Sequence, residues 1–150
     1  MVTFYAPEVL GDGEEFDPDP RAPEARQFAL FGPTNEHGGT SMVTTTVSEA
    51  PTRSASAEAD ALENELTATS TIEDMTRTEI TWPGATAATY LTWDRDVEHD
   101  DGAVLRYHYE WFFADLDDDA GQVTVGTVAP VEDYDDLQMH TIMTTITLNP

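Results

Sequence analysis

The chain has 150 residues, with 30 Asp or Glu against six Arg and no Lys, which gives a formal net charge of −24. It also lacks Cys, so disulfides, thiolate catalysis and cysteine-ligated zinc are excluded. The scarcity of basic residues disfavours direct binding of nucleic acid or of an anionic membrane, because both require a basic patch.

The N-terminal part of the chain predicts three short strands and an exposed loop. Val2 to Ala6 has the composition of a strand, and Pro7 ends it. Residues 11–23 are rich in Gly, Pro and acidic side chains, which is typical of a loop at the surface. The next predicted strands are Gln27 to Phe31 and Ser41 to Val47, the second with a hydrophobic period of two.

A helix is predicted after Pro51, because apolar residues there recur at helical spacing. These residues are Ala55, Ala59, Leu62 and Leu66. The pattern indicates an amphipathic helix of roughly 13 residues. Ser54 or Ser56 is expected to cap its N-terminus.

The second half of the chain predicts an antiparallel meander, in which strands that alternate in polarity are joined by short turns. The predicted strands are Thr76 to Trp82, Thr86 to Asp94, Ala103 to Phe113 and Gln122 to Val128. One face of this meander is expected to be the core, because it carries five aromatic side chains. They are Trp93, Tyr107, Tyr109, Trp111 and Phe113.

A second helix is predicted from Asp133, with Tyr134, Leu137 and Thr141 on one face, followed by a last strand at Thr144 to Leu148. Together these elements predict one domain of the α+β class over residues 1–150. We expect a twisted antiparallel sheet with a meander in its second half and both helices packed on one face.

This order of elements resembles the Mog1/PsbP/DcrB-like family of small α+β sandwiches. The resemblance is carried by an early strand with proline (Phe4 to Pro7), a mid-chain helix (Ala57 to Ala68), the turn Trp82 to Ala87, and a terminal helix that runs into a strand (Tyr134 to Leu148). The chain departs from the family where Glu8-Val9-Leu10 stands in place of an early aromatic residue.

The resemblance implies a binding or assembly role and transfers no catalytic residue. Members of that family are mostly non-enzymatic: lipoprotein modules, photosystem accessory subunits, binders of a small GTPase and chaperones for secreted toxins. We therefore expect a binding or assembly module with no cofactor and with a protein or peptide partner. The alternative is a small ligand-binding protein or an enzyme with a pocket between sheet and helices.

One candidate ligand site lies on the predicted outer face of the central strand, at Arg106, His108 and Glu110. His108 and Glu110 could act as a general acid and base. Residues two apart on a strand are separated by roughly 7 Å, however, so pairing with neighbouring strands is the simpler interpretation. No nucleophile elbow, phosphate loop or dinucleotide fingerprint occurs in the sequence.

Two acidic loops suggest metal sites, although each is more simply a hydrated turn. The aspartates at 115, 117, 118 and 119 resemble the start of a calcium loop, but Gly126 occupies the place of the closing Glu. His99, Asp100 and Asp101 form a second cluster, which zinc would require to meet His37 and Glu36 in space. We therefore predict no metal site.

A partner contact is predicted at Phe31, Phe112 and Val128, if these side chains are exposed together. The oligomeric state is expected to be monomer or homodimer.

The acid excess predicts that the protein works in concentrated salt. Carboxylates repel one another in dilute buffer, but the Debye length falls to about 3 Å at 1 M salt and the repulsion is then screened. Such a composition is typical of an extreme halophile such as a haloarchaeon. There is no long apolar run and no signal-peptide pattern, which predicts a cytoplasmic protein without membrane insertion, unless it is part of a longer lipoprotein.

Overall fold

The computed structural model describes residues 1–17, 20, 24–69 and 71–149, and in these ranges it contains nine strands and three α-helices. The strands are β1 (Val2–Thr3), β2 (Glu14–Phe16), β3 (Ala25–Thr34), β4 (Thr40–Ser48), β5 (Glu73–Ile80), β6 (Ala85–Glu98), β7 (Val104–Leu116), β8 (Gln122–Pro130) and β9 (Thr147–Leu148). The helices are α1 (Ala55–Thr69), α2 (Val131–Tyr134) and α3 (Met139–Thr144).

Seven strands form one sheet in the order β2-β3-β4-β8-β7-β6-β5, and β1 pairs with β9 separately. Every pairing is antiparallel. Strands β5 to β8 are neighbours in chain order, which confirms the predicted meander. Strand β4 joins this meander by pairing with β8, so β3 and β4 extend the sheet beyond its aromatic centre.

Helix α1 confirms the helix predicted from apolar spacing, and polar contacts fix its start. Ala57 N donates to Ser54 Oγ at 3.2 Å, as expected of a cap. Ala55 N donates to both carboxylate oxygens of Asp115, at 2.9 and 3.0 Å. A carboxylate at this end also interacts favourably with the helix dipole.

Arg77 on β5 joins α1 to the sheet. Its guanidinium contacts Asp60 and Glu63 of the helix and Glu79 of its own strand. Planar guanidinium groups present several donors at once, so one Arg serves three carboxylates here.

The predicted second helix is wrong as a single element. The segment forms α2 and α3, and between them Gln138 has a left-handed backbone with φ of +56°. A non-glycine residue in that conformation cannot continue a right-handed helix. Helix α3 also extends to Thr144, which shortens the predicted last strand to β9.

The predicted exposed loop at residues 11–23 is partly a strand, because β2 pairs with β3 there. All three residues of β2 are exposed. Residues 18, 19 and 21–23 of the predicted loop lie outside the described residues. The first strand is shorter than predicted and ends at Thr3.

The helices pack on opposite faces of the sheet, so the predicted one-sided arrangement is wrong. Phe112 belongs to the core beneath α2 and α3, and Phe113 belongs to the core beneath α1. Successive side chains on a strand point to opposite faces. The face of β7 that is polar from Arg106 to Glu110 becomes apolar farther along the strand. Its apolar residues are Phe112, Ala114 and Leu116, and they are buried because a second layer of helices packs on this face.

Candidate functional site

The face of the sheet beneath α1 carries a row of aromatic side chains whose rings are in contact. The ring centroids of Trp93 and Tyr109 are 5.0 Å apart with an interplanar angle of 8°, and those of Trp93 and Trp111 are 5.4 Å apart. Arg95 lies over the ring of Tyr109 at 5.7 Å. Offset stacking such as that of Trp93 on Tyr109 stabilises rings beyond the area that they bury.

Trp111 can lie flat against the sheet because the residue beside it on β8 is Gly126. A Cβ atom built on Gly126 would come within 2.3 Å of Trp111 Cε2, which is closer than real contacts allow. Because Gly126 has no side chain, the indole of Trp111 packs closer to the backbone of β8 than a larger residue would allow.

A groove of about 730 Å³ lies on this face between α1 and the β3–β4 half of the sheet. Helix α1 packs mainly on β6 and β7. Strand β4 is separated from β7 by β8 and lies beside the helix instead of under it. The groove is lined by apolar and hydroxyl side chains, among them Thr46, Leu62, Trp111, Phe113 and Thr124.

The rim of this groove is mostly acidic. Among the residues that the structure describes, Glu24, Glu58 and Glu65 line it together with one guanidinium, that of Arg53. Arg53 Nε lies 4.0 Å from Glu58 Oε1, so part of its charge is matched within the rim. The arrangement favours a cationic occupant with apolar anchors.

The predicted ligand residues Arg106, His108 and Glu110 do come together, on the opposite face of the sheet. His108 Nε2 lies 3.3 Å from Glu110 Oε1, so the two side chains lean toward each other across the spacing of two. Arg106 Nε donates to Asp94 Oδ2 at 3.1 Å, and His108 Nδ1 lies 2.6 Å from Asp94 Oδ1. Asp94 therefore joins the Arg and the His.

Glu110 is the buried centre of this cluster. Its side chain is only 6% exposed, and its carboxylate accepts hydrogen bonds from the Tyr90 hydroxyl and from His140, whose Nδ1 lies 3.0 Å from both oxygens. His108 supplies a third contact. A carboxylate can be buried when its oxygens are satisfied in this way.

The pKa values in the cluster are displaced in opposite directions. The hydrogen bond to Glu110 raises the pKa of His108, burial opposes the rise, and Asp94 adds to it. Burial raises the pKa of Glu110, but contacts with His108, Tyr90 and His140 outweigh it and leave the pKa below its usual value. Burial, followed by the bond to Glu110, raises the pKa of Tyr90 and keeps the phenol protonated.

The geometry assigns a charged imidazolium to His108, because each ring nitrogen faces a carboxylate oxygen. The charges thus alternate along Asp94, His108 and Glu110. Since His140 belongs to α3 and Glu110 to β7, these contacts connect the helix to the sheet. Arg106 also contacts Glu73 and Asp74 and lines a surface pocket of about 420 Å³.

Sequence reasoning missed Tyr90, Asp94 and His140. Asp94 could have been predicted from the sequence, because the turn centred on Asp101 places Asp94 and His108 opposite each other. Each of them is seven residues from the centre of the turn. Tyr90 follows from the same register as a diagonal neighbour of Glu110. His140 carries no local signal, because its approach depends on how α3 packs.

The predicted partner contact is wrong, because its three residues do not share an exposed surface. Phe112 is 1% exposed and Val128 is 8% exposed, so both belong to the interior. Phe31 is 43% exposed and packs edge to face on Phe16, with ring centroids 6.5 Å apart. The prediction placed Phe112 on an uncovered face, which α2 and α3 in fact cover.

The two acidic loops have structural roles. Asp115 is occupied by Ala55 N and by Gln122 Nε2, the latter at 3.0 Å. His37 Nδ1 does reach Asp101 Oδ2 at 3.1 Å, so those two loops meet, but His99 Nε2 is directed to the Tyr107 hydroxyl. Within residues 1–17, 20, 24–69 and 71–149, no group of three or more His, Cys, Asp or Glu is arranged to hold a metal ion.

The helices in the described part of the chain are too short or too polar to cross a membrane.

Comparison with known proteins gives little further guidance. No protein-family model matches the chain, and no curated protein matches it. Among solved structures, one match is the crystal structure of LpqN, described as involved in cell envelope biogenesis of Mycobacterium tuberculosis. It is 13% identical, with a TM-score of 0.48, over 99% of this chain and 83% of that chain. At this identity and score, the likeness says nothing about what the present chain does.

Proposed function

We propose that this protein is a non-enzymatic binding module that holds a peptide segment of a partner protein in the groove beside α1. The observation that carries the proposal is the groove itself, about 730 Å³ in volume with Trp111 and Phe113 in its lining. Of the two rings, Trp111 is partly accessible, and a partly accessible aromatic side chain beside a groove is a typical anchor for a bound peptide.

The proposed occupant combines basic and apolar side chains. Acidic groups outnumber basic groups around the rim, so a cationic segment is attracted and an anionic one is repelled. The apolar lining rewards leucine-like anchors, because their burial removes apolar surface from water.

Fluorescence anisotropy with two labelled peptides tests this proposal. One peptide alternates Leu and Arg and the other alternates Leu and Glu, and both are measured at the lowest KCl concentration at which circular dichroism shows an intact fold. We expect the Leu-Arg peptide to bind at least about tenfold more tightly, since opposite charges attract across the rim. Equal binding of the two peptides would overturn the proposed occupant.

Two adjacent residues of β4 supply matched variants. Thr46 lines the groove beside α1, whereas Val47 points to the other face of the sheet. Thr46→Phe should fill the groove and weaken Leu-Arg binding by about tenfold or more, and Val47→Phe should leave it nearly unchanged. Binding that is insensitive to Thr46→Phe would place the peptide elsewhere and refute the proposal.

The proposal also covers the location, the type of organism, the family and the oligomeric state of the protein. The acid excess supports a cytoplasmic protein of an extreme halophile, and the order of elements supports membership of the Mog1/PsbP/DcrB-like family. We propose a monomer or homodimer that presents this groove to its partner. Light scattering in molar salt, with and without peptide, tests the oligomeric state.

A second candidate function is a small ligand-binding protein or enzyme with its site at Arg106, His108 and Glu110. The inward position of Glu110 favours it, because a buried carboxylate between two histidines is an arrangement also used for proton transfer. Nuclear magnetic resonance titration of His108 during a small-molecule screen tests this candidate. A screen in which no compound shifts the His108 resonances would count against it.

A further inference from the structure

We propose that the other face of the β3–β4 half contains a separate binding site for a small, uncharged apolar molecule. A pocket of about 470 Å³ lies there between the two strands and the N-terminal segment. This volume falls in the range of about 300–1,000 Å³ that small-molecule sites occupy. The proposal does not depend on peptide binding beside α1, because the two cavities open on opposite faces.

The walls of this pocket are mostly apolar. Strand β3 contributes Phe28 and Leu30, and strand β4 contributes Val43 and Val47. Register explains why they share a face, since Leu30 pairs with Val43 and Val47 pairs with Arg26 two positions from Phe28. The wall opposite the sheet is formed by Met1, Val2 and Phe4.

The charged groups at the mouth argue against a charged ligand. Arg26 lies over the ring of Phe28 at 5.1 Å and is engaged by Glu15, with Arg26 Nε and Nη2 both 2.9 Å from Glu15 Oε1. Its guanidinium is therefore already matched. Glu24 and Glu49 also line the pocket and repel an anion.

A cationic ligand is disfavoured for a different reason. The two carboxylates of the lining, Glu24 and Glu49, attract cations to the mouth, but the rest of the lining is hydrocarbon and aromatic apart from uncharged Thr45 and the already matched Arg26. Moving a charged group into such surroundings costs its hydration without an equivalent partner. An uncharged apolar molecule loses little on entry and removes its own surface from water, so this class fits the pocket best.

The pocket has one firm wall and one lightly held wall. Val43 is 1% exposed and belongs to the main core cluster, so the sheet side is fixed by packing. The opposite side is attached through β1, which pairs with β9 over two residues, through a hydrogen bond from Tyr5 N to Thr145 Oγ1, and through partly buried Val2 and Phe4. None of these strand pairings or hydrogen bonds involves the seven-stranded sheet, so a ligand of modest size can enter by displacing this segment while the sheet stays paired.

Two naphthylamine probes test the proposal in molar KCl. N-phenyl-1-naphthylamine is uncharged and becomes fluorescent in apolar surroundings, and 8-anilinonaphthalene-1-sulfonate has the same rings with one sulfonate added. We expect saturable binding of the uncharged probe and at least about tenfold weaker binding of the sulfonate, because desolvation of the sulfonate is not compensated. Absence of saturable binding, or equal binding of both probes, would overturn the proposal.

The two β4 variants locate the probe. Val47→Phe should fill the pocket and weaken binding of the uncharged probe by about tenfold or more, and Thr46→Phe should change it less than about twofold. This is the reverse of the result expected for the peptide, so failure of one proposal is distinguishable from failure of the other. Equal sensitivity to both variants would show that the probe does not occupy this pocket.

A further variant covers the case in which Val47→Phe fails to fold. Phe4 lies outside the sheet and is only partly buried, so Phe4→Ser removes part of the outer wall while the sheet remains intact. We expect weaker probe binding with an unchanged circular dichroism spectrum. Unchanged binding in this variant would contradict the assignment.

Discussion

The two faces of the sheet differ in how they are held together, although the same strand supplies both. Beneath α1, strand β7 contributes the rings of Tyr109 and Trp111, which lie against Trp93 and against each other. Beneath α2 and α3, it contributes Phe112 and the hydrogen-bonded carboxylate of Glu110. One face is thus stabilised by aromatic packing, and the other combines an apolar core with a charged network.

The faces share one property, which is incomplete cover over β3 and β4. The groove beside α1 and the pocket beneath the N-terminal segment both lie against these strands. Strands β6 to β8 carry the packed helices, and both cavities extend from there over β3 and β4. The helices therefore cover only part of the sheet, and each cavity lies where that cover ends.

The largest expected effect concerns what both faces share, the acidic surface. Thermal unfolding followed by circular dichroism should give midpoints in about 0.1 M and about 3 M KCl that differ by tens of degrees, because salt screens the repulsion between carboxylates. Sodium chloride at equal ionic strength serves as a comparison for the cation, because only the cation changes. Equal midpoints in the two KCl solutions would contradict the proposed adaptation to salt.

The next effect separates the two faces through adjacent residues. Phe112→Ala and Phe113→Ala should each lower the free energy of unfolding by about 3–5 kcal/mol, because both rings are buried. Hydrogen exchange should show loss of protection in α3 for the first variant and in α1 for the second. The same helix losing protection in both variants would refute the assignment of opposite faces.

A smaller loss of stability is expected where Trp111 packs on Gly126, on the face of the sheet beneath α1. Gly126→Ala should destabilise the fold by about 1–3 kcal/mol, because the added Cβ collides with the ring of Trp111. Gly13→Ala is the matched control, since its Cβ meets the flexible end of Leu30 at 3.2 Å. Urea unfolding of both variants measures the difference, and equal losses would show that Trp111 does not depend on Gly126.

The smallest effect is a pH dependence specific to the face with the charged network. The pKa of His108 is raised in the folded protein, so its stabilising contribution is complete below the unfolded value of about 6.5 and is lost as the pH rises through the folded value. His108→Gln should therefore flatten the decline in stability above about pH 6.5, as measured by urea unfolding in molar KCl.

His37→Gln is the control for this prediction. The pKa of His37 is also raised, by its hydrogen bond to Asp101, but that pair is exposed and molar salt screens it. Most of the pH dependence should therefore remain in His37→Gln. A wild-type slope in His108→Gln would show that the network does not hold its proton in the folded state.

Local patterns predicted the meander and α1 because both depend on neighbours in sequence. The alternation from Thr76 to Val128 fixes which residues share a face, and the spacing of Ala55 to Leu66 fixes the helix. The start of α1 was predicted from Ser54 or Ser56, and Ser54 is the residue that caps it. The second anchor at Asp115 was not predicted, because it comes from a distant strand.

The arrangement of the helices was beyond local reasoning. Because Arg106, His108 and Glu110 are polar, their face of β7 was predicted to be exposed to solvent. The same face is apolar farther along the strand at Phe112, where it packs in the core. The approach of His140 depends on the left-handed residue Gln138, whose side chain gives no signal for that conformation. Both cavities depend on β4 pairing with β8, which is a non-local contact.

The distribution of arginine along the chain predicts which part of the fold loses its structure first at low salt. Arg77 and Arg106 act as built-in counter-ions for clusters of carboxylates on α1, β5 and β6. From Tyr107 onward the sequence has no arginine, although residues 132–136 alone carry four acids. The acids at residues 132–136 therefore depend on dissolved cations for neutralisation. When the surrounding brine is diluted, α2 should therefore be the first part of the fold to loosen, and the arginine clusters the last.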